Sequence, residues 1–302
     1  MSDGSPGRQR PAIRVGTAGW SYADWEGIVY PRPAPAHFDR LAFVASFFDT
    51  VEINTFFYRL PELHQVESWA RRVANRPRFR FAVKAWSPLT HGRSGINVED
   101  AADQFVRRLQ PLREAHLLGA VLLQFPYRFR PIDSSIRHLE NLSKLLAGLP
   151  LVAEFRRASW DSGQRLEALA ELGVAFCNID QPPISGNLPP TAHATTRLGY
   201  VRLHGRNRDS WFNEEAGRDA RYDYLYGKAE LEEWVARIEE LGARGAEEIF
   251  IIANNHYCGK AACNALELQR MLVDNNSRAP ASLADAYPRL GPSGSSFQRR
   301  LF

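Results

Sequence analysis

The feature that most constrains the fold of this chain is a regular alternation of short apolar runs with longer amphipathic segments. Eight runs rich in β-branched and aromatic residues predict strands at Ile13–Gly19, Thr50–Asn54, Arg78–Ala85, Gly119–Phe125, Leu151–Arg156, Ala175–Asp180, Tyr200–Gly205 and Glu248–Asn255. Amphipathic periodicity predicts helices at His37–Phe48, Glu62–Asn75, Glu99–Ala115, Ser134–Ala147, Gln164–Leu172, Lys228–Ala243 and Gly259–Val273. Residues 181–198 contain Pro182, Pro183, Pro189 and Pro190, and there we expect no helix.

Eight strands, most of them followed by a helix, within about 260 residues predict an α/β fold with a single (β/α)8 TIM-type barrel. An open, doubly wound sheet is the alternative arrangement of the same elements. The length of 302 residues allows one large core or two ordinary ones. A composition that is 44% hydrophobic and 24% charged excludes disorder over most of the chain.

Both ends of the chain differ in composition from the segment between them. Residues 1–11 and 275–302 are rich in Gly, Pro, Ser and Arg, so we expect a disordered N-terminal tail and a flexible, basic C-terminal tail around a barrel domain at 12–274. No apolar run approaches the roughly 20 residues that span a bilayer, and Met1–Arg14 has no apolar segment of the secretory type. With three cysteines, we expect a cytoplasmic protein that does not bind membranes.

The isoelectric point near 9.0 suggests a polyanionic partner until the charges are located along the chain. Of the net charge of +4, residues 1–14 carry +2 and residues 275–302 carry +3. The segment 15–274 therefore has a net charge of −1, and any basic patch on the barrel must be local.

Polar side chains mark the ends of seven of the eight predicted strands. They are Glu52, Asn54, Lys84, Gln124, Glu154, Arg156, Asn178, Asp180, Arg202, His204, Asn254 and Asn255. Because barrel proteins carry function at the C-terminal ends of their strands, and because residues two apart share a face, we expect these groups in the barrel mouth. Desolvating unpaired charge is costly, so the three carboxylates should pair with Lys84, Arg156 and Arg202. The structural alternative is a buried salt-bridge cluster that only fills the barrel.

The chemistry of these residue types suggests roles for them. The catalytic candidates are Glu52, Glu154, Asp180 and His204 as acids or bases, and Lys84 as a charge stabiliser or amine nucleophile. Two arginines could fork onto a carboxylate or phosphate, and aromatic residues in the loops could stack on a sugar, a base or another ring. The ligand-binding candidates are Trp20, Asn54, Tyr58, His91, Gln124, Arg156, Trp160, Arg202, Asn254 and Asn255. The aromatic residues could instead cap the barrel core.

We expect neither a metal nor an organic cofactor. Potential metal donors are present, but no ligand-spaced motif accompanies them, and the basic residues between the carboxylates favour charge pairing. The glycine-rich loops that cradle nucleotide phosphates are also missing from the sequence.

Several short motifs together resemble the YecE-like family, catalogued as domain of unknown function 72. The motifs are Gly16-Thr17-Ala18-Gly19-Trp20-Ser21-Tyr22, Val51-Glu52-Ile53-Asn54, Phe57-Tyr58-Arg59-Leu60-Pro61, Val83-Lys84, Thr90-His91, Leu123-Gln124-Phe125-Pro126, Glu154-Phe155-Arg156, Ser159-Trp160, Arg202-Leu203-His204-Gly205 and Asn254-Asn255-His256. The resemblance covers roughly residues 13–273. It implies a TIM-type barrel and implies no activity.

The residues predict an enzyme or binding protein for a small polar or anionic ligand at the C-terminal mouth of the barrel. Ligands that contain a sugar or a phosphate group belong to this class, and the residues do not indicate a reaction. A nucleic-acid-associated protein of the repair type is one alternative, by fold analogy with endonuclease IV and from Arg202, Arg206 and Arg208 near Trp211. The C-terminal pentapeptide Gln298–Phe302 weakly resembles bacterial sliding-clamp ligands. A non-catalytic ligand-binding barrel is the third possibility.

Overall fold

The protein forms a closed barrel of eight parallel strands in the order in which they occur along the chain. The structure is a computed structural model, and it describes residues 10–92, 95–209, 211 and 220–291. The strands are β1 (Ala12–Ala18), β2 (Thr50–Ile53), β3 (Arg80–Lys84), β4 (Leu118–Gln124), β5 (Leu151–Glu154), β6 (Ala175–Asp180), β7 (Leu198–Leu203) and β8 (Glu248–Ala253). β1 pairs with β8, from Ala12 opposite Glu248 to Thr17 opposite Ala253, which closes the sheet and excludes the doubly wound alternative.

Helices connect the strands and cover the outside of the barrel. The described α-helices are α1 (Arg40–Val44), α2 (Thr55–Tyr58), α3 (Leu63–Val73), α4 (Ser87–His91), α5 (Val98–Glu114), α6 (Asp133–Leu145), α7 (Gly163–Glu171), α8 (Lys228–Ala243), α9 (Lys260–Leu272) and α10 (Ala281–Ala286). Short 3₁₀ turns lie at Ala23–Trp25, Ala158–Trp160, Tyr257–Gly259 and Pro288–Leu290. None of the helices in the described part of the chain is long and apolar enough to cross a bilayer.

The predicted elements are present, with differences at their ends. All eight strands lie at the expected places, and the proline-rich segment between β6 and β7 has no helix. Several strands end one or two residues earlier than predicted; β5, for example, ends at Glu154 rather than Arg156. The first helix is also shorter than predicted, covering Arg40–Val44 where we expected His37–Phe48.

The C-terminal segment after residue 274 differs from the expected flexible tail. Residues 281–286 form α10, and Leu283 and Leu290 are buried. Arg270 of α9 donates a hydrogen bond of 2.7 Å to the carbonyl of Leu290. Residues 275–291 are therefore packed on the barrel, because apolar residues spaced among the prolines and serines supply a buried face. Residues 292–302, including the clamp-like pentapeptide Gln298–Phe302, lie outside the described residues, as do residues 1–9.

A close approach between β1 and β2 brings the first two strands of the mouth together. A Cβ atom on Gly16 would lie 1.8 Å from the carbonyl oxygen of Thr50, so only glycine fits at this position. The next residues of these two strands lead directly to Gly19, Trp20 and Asn54 at the barrel mouth.

Candidate functional site

A cavity of about 640 Å³ opens at the C-terminal ends of the strands. Its floor is formed by strand ends and its walls by the loops that follow β1, β2 and β8, together with part of the loop after β7. The lining residues are Gly19, Trp20, Ser21, Tyr22, Asn54, Thr55, Tyr58, Arg59, Gln65, Trp69, Lys84, Gln124, Arg156, Arg202, Tyr222, Asn254 and His256. The cavity is large enough for a ligand of metabolite size.

In the cavity floor, Arg202 of β7 is clamped between two fully buried carboxylates that lie beneath it. Its guanidinium lies 2.7 Å from Glu52 of β2 and 2.6 Å from Glu154 of β5. Tyr200 donates a hydrogen bond of 2.9 Å from its hydroxyl to the second oxygen of Glu52. The clamp spans the barrel interior and fixes the position of Arg202, which is only 3% exposed.

A second arginine is paired with the same carboxylate nearer the cavity. Arg156 lies 2.7 Å from Glu154 and sits over the ring of Trp211 at 5.6 Å. Nη1 of Arg156 and Nε of Arg202 are buried but have no hydrogen-bond partner among the described residues. Because both arginines line the cavity, the oxygen atoms of a bound anion could accept hydrogen bonds from these N–H groups.

Lys84, at the end of β3, is the third cation of the floor. Its ammonium lies 3.8 Å from the centre of the Phe57 ring, and within the described residues no carboxylate lies within 4 Å of it. Burial, followed by the charge of Arg202, lowers the pKa of Lys84 from 10.5 to about 7. The Phe57 ring favours the charged form, but such a contact contributes about 0.5–2 kcal/mol, which is at most about 1.5 pKa units.

His204 lies under the floor and stays neutral. Burial and the charge of Arg156 lower the pKa of His204 to about 3. Nδ1 of the ring lies 2.9 Å from the amide nitrogen of Asn254, and Nε2 lies 3.4 Å from Glu154. With the amide group of Asn254 as the donor, the ring proton is on Nε2 and faces the carboxylate.

The carboxylates of this region are paired rather than free. The charges of Arg156 and Arg202 and the neighbouring His204 hold the pKa of Glu154 well below its usual range, although burial acts in the opposite direction more strongly than any one of them. None of the described residues that line the cavity is an aspartate or glutamate, whereas Arg59, Lys84, Arg156 and Arg202 all line it. A ligand in the cavity therefore meets a positively charged surface.

Aromatic rings form much of the cavity wall. Trp20 and Trp69 meet edge to face at 5.6 Å, and Tyr22 stacks on His256 at 4.4 Å. Tyr58 is 65% exposed at the rim. Flat rings beside a cationic floor could hold a ring or sugar that carries an anionic group.

The structure brings together most of the residues that the sequence indicated. The predicted residues that line the cavity are Trp20, Asn54, Tyr58, Lys84, Gln124, Arg156, Arg202 and Asn254. Glu52, Glu154 and His204 are fully buried and lie one step below them, in contact with the two arginines or with Asn254.

Asp180, a predicted catalytic residue, does not face the cavity. Its carboxylate accepts hydrogen bonds of 2.8–3.1 Å from Arg206 and a further one from Trp234 of α8. Cys177 of the same strand lies 3.9 Å from Glu154 inside the barrel. Since residues alternate along a strand, Asn178 and Asp180 face outward toward the helices. Their prediction as groups of the barrel mouth was therefore wrong.

Three predicted binding residues also lie off the cavity lining. Trp160 is buried against Phe155, with ring centres 3.9 Å apart, and packs in the core. Asn255 donates hydrogen bonds to the carbonyl of Tyr224 and to Asn264 of α9, which holds the loop before α8 against α9. His91 packs edge to face on Phe57 at 4.9 Å, behind the ring that covers Lys84.

Several lining residues were missed by the sequence interpretation. Arg59 and His256 immediately follow residues that were singled out, and both lie in motifs quoted above, so their position was a usable signal. Gln65 and Trp69 belong to α3, the second helix after β2, where amphipathic spacing alone does not distinguish a cavity wall from a core contact.

The charged residues around Arg206 bear on the nucleic-acid alternative. Arg206 is paired with Asp180 and lies 3.0 Å from Glu230 and 3.5 Å from Glu233. The charge of Arg206 is therefore offset by carboxylates of the barrel wall, which weakens the nucleic-acid alternative.

In the part of the chain that the structure describes, no group of three His, Cys, Asp or Glu residues could hold a metal ion.

The fold and site together define a (β/α)8-barrel protein with an arginine- and lysine-rich cavity at the C-terminal mouth. Residues 14–288 match the family model described as "Protein of unknown function DUF72", so the chain belongs to the DUF72 family. The UPF0759 protein YunF of Bacillus subtilis is 30% identical over 285 residues, covering 90% of this chain and 99% of that protein. The UPF0759 protein YecE of Escherichia coli is 29% identical over 138 residues, 46% of this chain and 44% of YecE.

Solved structures show the same fold. The crystal structure of a DUF72 family protein from Thermotoga maritima is 34% identical, with a TM-score of 0.75 over 86% of this chain and 98% of that one. A DUF72 family protein from Enterococcus faecalis is 27% identical, with a TM-score of 0.76 over 86% of this chain and 95% of that one. The family resemblance and the barrel predicted from the sequence are thus confirmed.

Proposed function

We propose that the protein is an enzyme that binds a small anionic molecule in the barrel mouth, with a carboxylate or phosphate group held by Arg156 and Arg202. One observation supports this proposal above the others. Four cationic side chains and no carboxylate are found among the described cavity-lining residues, and two buried guanidinium N–H groups have no protein partner there. Buried donors without a partner are costly, and an anion would satisfy them.

The arrangement of charges favours an anion over a neutral or cationic ligand. Glu52 and Glu154 lie beneath the arginines and fix their side chains in place before a ligand arrives. A guanidinium that is already ordered loses little conformational freedom on binding, so more of the interaction energy appears as affinity. Asn54, whose buried side-chain oxygen has no hydrogen-bond partner among the described residues, could accept a hydrogen bond from a ligand hydroxyl.

Acid–base or nucleophilic chemistry by Lys84 distinguishes the enzyme from a purely binding barrel. An amine whose pKa is about 7 exists in both protonation states near neutral pH, as general acids, bases and nucleophiles require.

A cytoplasmic location, which agrees with the three free cysteines, belongs to the same proposal.

Mass spectrometry of the small molecules that co-purify with the native protein tests the proposal. The protein is purified in a buffer without phosphate or carboxylate, and its released ligands are compared with those of the Arg156→Gln variant. Arg107→Gln is the matched control, because Arg107 pairs with Asp103 on the exposed surface of α5. We expect an anionic compound with the wild type and with the control, and much less with Arg156→Gln. Release of only neutral or cationic compounds, or equal amounts from all three proteins, would contradict it.

A further inference from the structure

The chain uses arginine for almost all of its positive charge. It contains 34 arginines and 4 lysines, and the lysines are Lys84, Lys144, Lys228 and Lys260. Lys144 and Lys228 are exposed on helices, and Lys260 pairs with Asp223 on the outside of the cavity. The remaining one, Lys84, lies on the cavity floor beside two arginines. Only lysine among these cations can lose its proton near neutral pH.

The surroundings of Lys84 do not match those of a structural lysine. The two carboxylates beneath the floor, Glu52 and Glu154, are already paired with arginines at 2.6–2.7 Å, and neither lies within 4 Å of the ammonium. Of the neighbouring charges, that of Arg202 acts on Lys84 most strongly, and it opposes protonation. The Phe57 ring covers one side of the amine at 3.8 Å, while the residue itself lines the open cavity. Among the described residues the amine therefore has no counter-ion within 4 Å, and it lies within reach of a ligand.

We propose that Lys84 is a catalytic nucleophile that forms an imine with the carbonyl carbon of a small anionic aldehyde or ketone, such as a 2-oxo acid or a sugar-like carbonyl phosphate. This inference rests on the proposed function, because Arg156 and Arg202 must hold the anionic group for the carbonyl to reach the amine. An ammonium used only for charge would gain from a carboxylate neighbour or be replaceable by arginine, which is what the chain uses elsewhere.

The step is balanced without an oxidant or reductant. The nitrogen lone pair attacks the carbonyl carbon, the π electrons move to the oxygen, and the oxygen takes a proton from solvent while the nitrogen releases one. The resulting carbinolamine then loses its hydroxyl group with a proton as water, leaving a C=N bond to Lys84. Overall, one amine and one carbonyl give one imine and one water.

Reductive trapping of the full-length protein tests this step. The protein is incubated with pyruvate, glyoxylate or dihydroxyacetone phosphate in the presence of cyanoborohydride, and the adduct is located by peptide mass spectrometry. We expect one reduced adduct, at Lys84, formed at least tenfold faster than at any other lysine with at least one of the probes. Lys84→Arg keeps the charge and should remove the adduct, whereas Lys260→Arg should leave it unchanged.

Binding of matched compounds without a carbonyl separates this inference from the proposed function. Calorimetry with lactate, glycolate and glycerol 3-phosphate measures anion binding alone, and Arg156→Gln should weaken it at least tenfold. Anion binding without an adduct at Lys84 would overturn the imine and leave the anion site standing. Adducts spread equally over all four lysines, or retained in Lys84→Arg, would overturn the imine as well. If none of the six compounds binds, both proposals fail.

Discussion

At the scale of single residues, the candidate site depends on one buried carboxylate. Glu154 pairs with Arg156 at 2.7 Å and with Arg202 at 2.6 Å, and it is completely buried. A buried ion pair contributes little net stability compared with an apolar alternative, but losing one partner leaves the other charged and desolvated. Glu154 thus positions both arginines while its own oxygens lie out of the ligand's reach.

Replacing Glu154 with Gln should lower the free energy of unfolding by about 3–5 kcal/mol, because the buried Arg202 and the partly buried Arg156 lose their shared counter-ion. Urea denaturation of the variant measures the change. Glu240→Gln is the matched control, since Glu240 pairs with Arg244 on the exposed face of α8. Its effect should stay within about 0.5 kcal/mol. Equal effects of the two substitutions would show that the clamp does not carry the stability assigned to it.

Replacing Lys84 with Met should stabilise the protein in a pH-dependent way. The folded pKa of about 7 lies below the ordinary value of 10.5, so between these pH values the unfolded chain binds more protons than the folded one. The cost of burying the ammonium is therefore fully present below pH 7 and disappears as the pH approaches 10. Each pKa unit corresponds to about 1.4 kcal/mol.

Urea denaturation of both proteins from pH 6 to pH 10 measures this difference. The gain of Lys84→Met should be largest at pH 6, several kcal/mol, and should shrink as the pH rises. The charges that act on Lys84 are Arg202, Glu154, Glu52 and Arg156. Their ion pairs hold the pKa of Arg202 well above its usual value and that of Glu154 well below. A gain that is independent of pH would contradict a lowered pKa for Lys84.

At the scale of elements, the sequence predicts where the strands are better than which way they face. Both faces of a parallel strand are buried, so an alternation of polar residues does not distinguish the barrel interior from the helix layer. In β5, Glu154 faces inward as expected, but in β6 Asn178 and Asp180 face outward and bond to a neighbouring loop and to α8. The difference depends on long-range pairing: Trp234 and Arg206 lie 54 and 26 positions from Asp180 along the chain.

Short elements were harder to predict than long ones. The helices α2 and α4 have four and five residues, and neither was predicted. A periodic pattern needs more than one turn to be recognised, and tertiary contacts decide whether so short a helix forms. The six described helices of nine or more residues follow from apolar periodicity, and α8 covers the predicted residues without any change.

Replacing Gly16 with Ala should destabilise the junction of β1 and β2 by about 3 kcal/mol or more. The added methyl group would collide with the backbone of Thr50, which cannot move without breaking the strand pairing. Gly163→Ala is the control, because a Cβ atom there meets nothing within 4 Å at the start of α7. It should leave stability unchanged or raise it by up to about 1 kcal/mol. Thermal unfolding of both variants measures the contrast, and similar shifts in the two would contradict the close approach.

At the scale of the whole molecule, the chain after α9 joins the last unit of the barrel to the first. Ser282 donates a hydrogen bond of 3.0 Å to the carbonyl of Val29, and Leu283 lies in an apolar pocket with Val29, Phe43 and Leu266. Composition alone suggested a flexible tail here because residues 275–302 are rich in Gly, Pro, Ser and Arg. Burial of a few well-placed side chains nevertheless gives the segment a fixed position.

Replacing Leu283 with Ala should lower the free energy of unfolding by about 2–5 kcal/mol, since the side chain is almost completely buried. Met271→Ala, at a 38% exposed position of the adjacent helix α9, should change it by less than about 1 kcal/mol. Chemical denaturation of both variants provides the comparison. A loss below 1 kcal/mol for Leu283→Ala would mean that the segment contributes little to the fold.

The aromatic wall of the cavity has a practical consequence. Trp20 and Trp69 line the cavity and Trp211 lies against Arg156, so three of the seven tryptophans are placed where an occupant would change their surroundings. Trp25, Trp160 and Trp234 are fully buried elsewhere and supply a constant background. The intrinsic tryptophan fluorescence of the protein should therefore report ligand binding. Libraries of unlabelled metabolites can be screened by the wavelength and intensity of its tryptophan emission, and such a screen needs no assay of a reaction.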